Sequence, residues 1–132
     1  MIDFLRMRWL IRKCPRLEWQ VERREAAATR VTSRITGMPR GGGVSKAEDA
    51  YIALADARDA YREVLEELEA MRKELDPLIN HLTDPDERAA MRLRYMHGYR
   101  PEEIGPMIGR TDRSIYMYLK RAERKIRGNQ NG

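Results

Sequence analysis

Apolar side chains recur at alternating three- and four-residue steps through the first two-thirds of this chain. That spacing admits little besides long amphipathic helices. One series is Leu10, Cys14, Leu17, Val21, Ala28, Val31 and Ile35, interrupted only at Arg24. The second is Tyr51, Leu54, Tyr61, Leu65, Leu68, Leu75, Ile79 and Leu82, with Arg58 and Arg72 as its polar interruptions. Each series forms one stripe on a helix and needs an apolar counterpart, which is supplied either by folding back as an antiparallel hairpin or by a second chain.

Helix breakers punctuate the pattern. Gly37, Met38, Pro39, Arg40, Gly41, Gly42 and Gly43 predict a glycine-rich hinge over residues 37–44. No Gly-Lys-Ser or Gly-Lys-Thr follows the triple glycine and no strand pattern precedes it, so a hinge fits better than a phosphate cradle. Ser45, Lys46, Ala47 and Glu48 read as a capping box that opens the second helix. Pro15 predicts a kink or a fresh start in the first helix, because its ring opposes the carbonyl of Ile11. Pro77 predicts a break or a bend near Asp76, leaving about 30 residues, or about 45 Å, of straight second helix. At the amino end, Asp3, Arg6 and Arg8 interrupt an apolar run, so Phe4, Leu5, Trp9 and Leu10 are expected to bury against another helix rather than enter a membrane.

A different pattern occupies residues 101–120. Ile104 and Ile108 stand four apart, Ile115 and Tyr118 three apart, with Gly105 and Gly109 between the pairs. These are the positions at which a helix-turn-helix needs apolar contacts, a small residue at the close approach, and a left-handed glycine at the turn. Pro101 followed by Glu102 and Glu103 suits the start of the first helix, and Thr111 can cap the second. Pro106 opposes a regular first helix, which is therefore expected to be bent or short. Upstream, Asp84, Pro85, Asp86 and Glu87 open a further helix that Gly98 can close, with Ala89 or Ala90, Leu93 and Met96 on its buried side.

Charge is divided along the chain. The net charge is +5, made of +6 over residues 1–45 (ten basic, four acidic), −7 over residues 46–90 (six, thirteen) and +6 over residues 91–132 (ten, four). A basic terminus that coincides with the helix-turn-helix points to nucleic acid. Cys14 is alone, and His81 and His97 lack companion ligands. Glu63, Glu66, Glu67 and Glu69 suit a solvated helix face rather than a metal or acid–base site. No nucleophile stands with a base and an orienting acid, so neither an enzyme nor a cofactor is expected. Without a secretory signal or a long apolar span, a soluble cytoplasmic protein is expected.

Residues 91–104 and 119–126 carry the order Leu-Arg-Tyr, Gly-Tyr and Glu-Glu-Ile, then Lys-Arg-Ala, with Gly-Arg-Thr and Ile-Tyr between them. This run resembles region four of bacterial sigma factors, the helix-turn-helix that recognises promoter DNA. Taken whole, the chain resembles small sigma-like or ArpU-like transcriptional regulators from phages and prophages of Gram-positive bacteria. It departs from the sigma pattern at Gly105 and Pro106, where alanine and an acidic residue are usual, and it lacks the other sigma regions. The resemblance implies control of phage genes without autonomous initiation by polymerase.

The expected fold is all-α: a long antiparallel helical hairpin or coiled coil over residues 1–82, then a sigma-like helix-turn-helix domain over residues 83–128. With Ile115, Tyr118 and Leu119 facing inward, helical geometry turns Asp112, Arg113, Tyr116, Met117 and Lys120 toward a major groove. Arg113 suits guanine, Tyr116 and Met117 a thymine methyl or sugar edge, and Lys120 guanine or phosphate. Asp112 serves the helix start better than a cytosine amino group. Arg100, Arg110, Thr111, Arg121, Arg124 and Lys125 are the candidate phosphate contacts. The expected partners are duplex DNA and a second copy of the chain, with a dimer favoured. The competing roles are a phage small terminase subunit and a coiled-coil adaptor that binds RNA polymerase.

Overall fold

A computed structural model describes the backbone of residues 1–37 and 41–131, and the side chains of residues 1–32 and 45–128. The described residues are helical, without strands. Helix α1 covers Phe4–Gly37, α2 Gly41–Asn80, α3 Pro85–Met91, α4 Pro101–Ile108 and α5 Asp112–Asn131, and a π-helical segment, Arg92–Met96, continues α3. Among the described residues no helix is long and apolar enough to cross a membrane.

The two prolines that were expected to interrupt the long helices do not end them. α1 runs through Pro15 and α2 through Pro77 as far as Asn80. Each proline removes one backbone hydrogen bond, and buried side chains hold the helix on at least one side of it. Met7, Leu10 and Ile11 are buried before Pro15, and Leu75 and Ile79 flank Pro77. The glycine hinge is also narrower than expected. Gly37 ends α1 and residues 41–43 already belong to α2, while Met38, Pro39 and Arg40 lie outside the described residues. Ser45 is therefore inside α2 rather than at its cap. Extending an existing helix adds a hydrogen bond per residue, against about 1 kcal/mol for each glycine.

The chain divides into two compact units, Arg12–Glu67 and a second made of Met1–Ile11 with Leu68–Gly132. The division thus falls inside both long helices. The reason is the burial of the amino-terminal turns among the carboxy-terminal helices.

Within Arg12–Glu67 the two arms run antiparallel. Arg58 Nη2 donates to Glu25 Oε1 at 3.0 Å, and Thr32 and Tyr51 share a hydroxyl hydrogen bond at 2.8 Å, so numbering rises on one arm as it falls on the other. Among the described residues Ala28 and Leu54 are the buried ones of this seam; Tyr51, placed in it by spacing, is 52% exposed, and the side chain of Ile35 lies outside the described residues.

In the second unit, Asp3 caps α1, its Oδ1 accepting from Arg6 N at 3.0 Å. Ile2, Phe4, Met7, Leu10 and Ile11 are buried, whereas Leu5 is 69% and Trp9 38% exposed. The buried set expected at this end was thus half right. Positions 4, 7 and 11 share one helix face, while 5 and 9 are turned away from it. Phe4 packs on Tyr95 with ring centroids 5.2 Å apart. Arg8 Nη1 donates to Tyr95 Oη at 2.9 Å and to Glu123 Oε1 at 2.8 Å, and Tyr95 Oη donates to Glu123 Oε1 at 2.7 Å. Burial, followed by the Glu123 carboxylate, raises the Tyr95 phenol pKa. Burial works against the Arg8 charge, but Tyr95 and Glu123 outweigh it and raise the guanidinium pKa.

Asp84 caps α3 as its sequence suggests, accepting from Asp86 N at 2.8 Å and Glu87 N at 3.4 Å. The buried face matches the expected one only in part: Ala90 is inside as expected, but Met91 and Tyr95 join it, and Leu93 and Met96 are only partly buried. The π-helical segment accounts for the rotation, since one extra residue in the turn carries the following side chains round the axis. His97 N reaches Arg92 O at 3.1 Å and Tyr99 N reaches Leu93 O at 3.0 Å, with Gly98 left-handed at φ 77°.

Candidate nucleic-acid interface

α4 begins at Pro101, where a missing N–H costs nothing, and Glu103 Oε1 accepts from Arg100 N at 3.0 Å. The helix keeps Pro106 but is only eight residues long. It ends at Gly109, left-handed at φ 67° and ψ 40°. Close approach at the turn excludes side chains: a Cβ on Gly105 would lie 2.7 Å from the Arg110 carbonyl oxygen and 3.2 Å from Asp112 Oδ1. The same turn is closed by Arg110 N donating to Gly105 O at 2.9 Å.

Thr111 starts α5, accepting from Ser114 N at 3.2 Å while its carbonyl accepts from Ile115 N at 3.0 Å. α5 packs on both α4 and α3. Of the four side chains expected to close the motif, Ile104 and Ile115 are fully buried, but Ile108 and Tyr118 are only half-buried. Leu119, Ala122 and Ile126 complete the inner face, because α5 runs on past the motif and packs along its length. Tyr95, which was outside the motif, fills the rest of this core.

The five residues expected to face a groove are all exposed: Asp112, Arg113, Tyr116, Met117 and Lys120. They differ in what they are free to do. Asp112 is the first residue of α5, with its carboxylate against α4 at Gly105. Tyr116 Oη donates to Glu102 Oε1 at 2.6 Å, which leaves its ring exposed but its donor engaged. That bond holds the Glu102 carboxyl below the usual carboxylate range and raises the Tyr116 phenol. The side chains of Arg113, Met117 and Lys120 have no hydrogen bond or ion pair among the described residues.

The six expected phosphate contacts are also exposed, with several committed elsewhere. Thr111 is occupied as a cap. Arg100 Nε lies 3.1 Å from Glu103 Oε1, whose carboxyl is held below the ordinary range by the Arg100 backbone N–H and then its side chain. Arg110 reaches Asp86 Oδ2 at 3.4 Å, and its guanidinium pKa is raised by Tyr118 first and Asp86 next. Lys125 Nζ holds both oxygens of Glu87, at 2.7 and 2.9 Å, and Glu87 is only 1% exposed. Lys125 is thus the counterion of a buried carboxylate. Arg121 and Arg124 are exposed and without an acidic partner among the described residues.

Two participants are invisible to sequence reasoning. Glu102, fourteen positions before Tyr116, meets it only because the turn folds α4 back. Arg94, half-buried with its Nη1 donating to the Tyr99 carbonyl at 3.2 Å, is a further cation, and the weakest influence on Glu102 and Tyr116. Its place follows from the π-helical segment, which no residue pattern announces.

No curated protein and no solved structure matches this chain. One family model does, over residues 30–127, most of the chain, from late in α1 to the last turns of α5. The chain belongs to that family, described as protein of unknown function (DUF1492).

Proposed function

We propose that this chain is a sequence-specific DNA-binding transcriptional regulator of phage or prophage genes, acting in the bacterial cytoplasm, with α4, the Gly109 turn and α5 as its helix-turn-helix. The observation that carries the reading is the outer face of α5. Arg113, Met117 and Lys120 are exposed along it, Arg121 and Arg124 continue the positive charge, and no carboxylate among the described residues neutralises them. A helix of this kind fits the major groove, where arginine reads guanine and an apolar side chain meets the thymine methyl. The basic residues toward the far end of α5 suit phosphate oxygens, which set position and affinity rather than sequence.

Roles divide accordingly. Arg113 and Lys120 read bases with Met117, while Tyr116, tied to Glu102, presents its ring edge. Arg121, Arg124 and Arg94 hold phosphates, and Lys125 supports the fold. A single motif covers few base pairs, so two copies on half-sites roughly 34 Å apart supply the affinity that one lacks.

Selection of bound duplexes from a random pool, followed by fluorescence anisotropy on the consensus, tests the reading. Arg113→Ala is expected to cost about 1–3 kcal/mol on the selected site and to relax preference at one base position. Arg124→Ala is expected to weaken all duplexes alike and to reduce the salt slope by about 1. Absence of binding to any duplex at micromolar protein and low salt would overturn the assignment.

A further inference from the structure

The two arms of Arg12–Glu67 carry opposite charges on the surfaces turned away from their shared seam. On α1, Arg12, Arg16, Trp19, Arg23 and Arg30 follow one another at helical spacing, and all are exposed. They occupy one narrow strip of the helix, on the side opposite Leu17, Val21 and Ala28. Trp19 is 55% exposed, and the Arg23 guanidinium lies 4.7 Å from its ring centroid. Trp19, Arg23, Ala27 and Arg30 border a surface hollow.

The outer strip of α2 is the counterpart. Glu48, Ile52, Asp56, Asp59, Glu63 and Glu66 repeat at steps of three and four residues and are exposed, Ile52 at 60%. This strip lies opposite Leu54, Tyr61 and Leu65. Among the described residues its one counterion is Arg62, 3.3 Å from Asp59, an exposed pair of little energetic weight. Arg12 to Arg30 and Glu48 to Glu66 span the same number of residues, about 27 Å of helix each.

We infer that the basic strip of α1 is a docking surface for the acidic strip of α2 of a second copy of this chain. Charge complementarity and length select that occupant. The apolar side chains argue the same way, since Trp19 in one strip and Ile52 in the other are large exposed side chains that such a contact would remove from water. A nucleic-acid strand would meet the arginines but offers nothing to Ile52 or the carboxylates. The two strips are different surfaces, so the contact is head to tail, and each copy keeps one strip of each kind for the next. This surface is independent of the DNA-binding reading and is tested without DNA.

Sedimentation equilibrium on the full chain at about 50 mM and about 500 mM salt measures the association, which is expected to weaken with screening. The Arg16→Glu/Arg23→Glu chain and the Asp56→Arg/Glu63→Arg chain are each expected to self-associate roughly tenfold or more weakly, because like charges then face each other. An equimolar mixture of the two is expected to reassociate, since the unaltered basic strip of the second chain meets the unaltered acidic strip of the first, and at the other contact the reversed positions face each other with opposite sign. Circular dichroism that matches the parent chain keeps folding out of the comparison, as every substituted position is exposed. A monomeric parent chain at low salt, reversed chains that assemble like the parent, or a mixture that stays dissociated would each overturn the inference. So would a reversal of Arg16 and Arg23 that lowers duplex affinity but leaves the mass unchanged, which would make the strip a nucleic-acid surface.

Discussion

At the scale of single residues, Gly105 and Lys125 matter through what their neighbours leave no room for. Gly105 faces the Arg110 carbonyl at a separation no Cβ tolerates, and the obstacle is backbone rather than a movable side chain. Gly105→Ala is expected to destabilise the protein by about 1–3 kcal/mol, read as a lower melting temperature. Gly128→Ala, in open space on α5, is expected to be neutral or slightly stabilising in the same measurement. Equal melting temperatures for the two variants would dismiss the steric argument. Lys125→Met leaves the buried Glu87 carboxylate without its counterion. Because Lys125 is itself half exposed, water recovers part of the loss, and a destabilisation of about 1–3 kcal/mol is expected in denaturant titration. Adding Glu87→Gln to Lys125→Met is expected to recover some of that loss, since the buried group no longer carries charge. A double variant less stable than Lys125→Met alone would contradict this.

Among elements, the contact between α4 and α5 has a pH signature. Glu102 has its folded pKa depressed, chiefly by the Tyr116 hydroxyl. The associated stabilisation is complete above the pKa of the unfolded carboxyl, and it is lost as pH falls through the folded value. For Tyr116, raised by the same bond, stabilisation is complete below the unfolded phenol pKa and is lost as pH rises through the folded one. The two helices are thus latched across the neutral range. Tyr116→Phe is expected to return the Glu102 carboxyl toward its ordinary range in an NMR titration, with α5 remaining helical. An unchanged Glu102 titration would remove the latch. The helices themselves were more legible than their contacts. Asp84, Pro101, Gly109 and Thr111 mark their ends by local rules of capping and handedness, which depend on a few consecutive residues. At Pro15 and Pro77 the cost of one missing hydrogen bond is visible in sequence, and the packing that lets both helices run on is not.

For the whole molecule, the decisive feature is that the first eleven residues belong with the carboxy-terminal helices. Phe4 against Tyr95, and Arg8 between Tyr95 and Glu123, make the amino end part of the core behind α5. Phe4→Ala is expected to cost about 3–5 kcal/mol and to lower the melting temperature of the unit that carries α5, as followed by hydrogen exchange of the α5 amides. Exchange indistinguishable from the parent chain would separate the amino end from that core.

The sequence alone determined the helical class, much of the two apolar seams, the caps at Asp84 and Thr111, the left-handed Gly109 turn, and the outward set around Arg113 and Lys120. All of these follow from spacing along a single helix or from the chemistry of neighbouring residues. Only the tertiary structure decided that Tyr95 rather than Leu93 faces inward, that Lys125 is committed to Glu87, that Tyr116 is held by Glu102, and that Phe4 closes a core begun more than eighty positions later. Those contacts depend on a π-helical turn and on pairings distant in sequence, and no periodicity within a helix encodes which helix will lie against it.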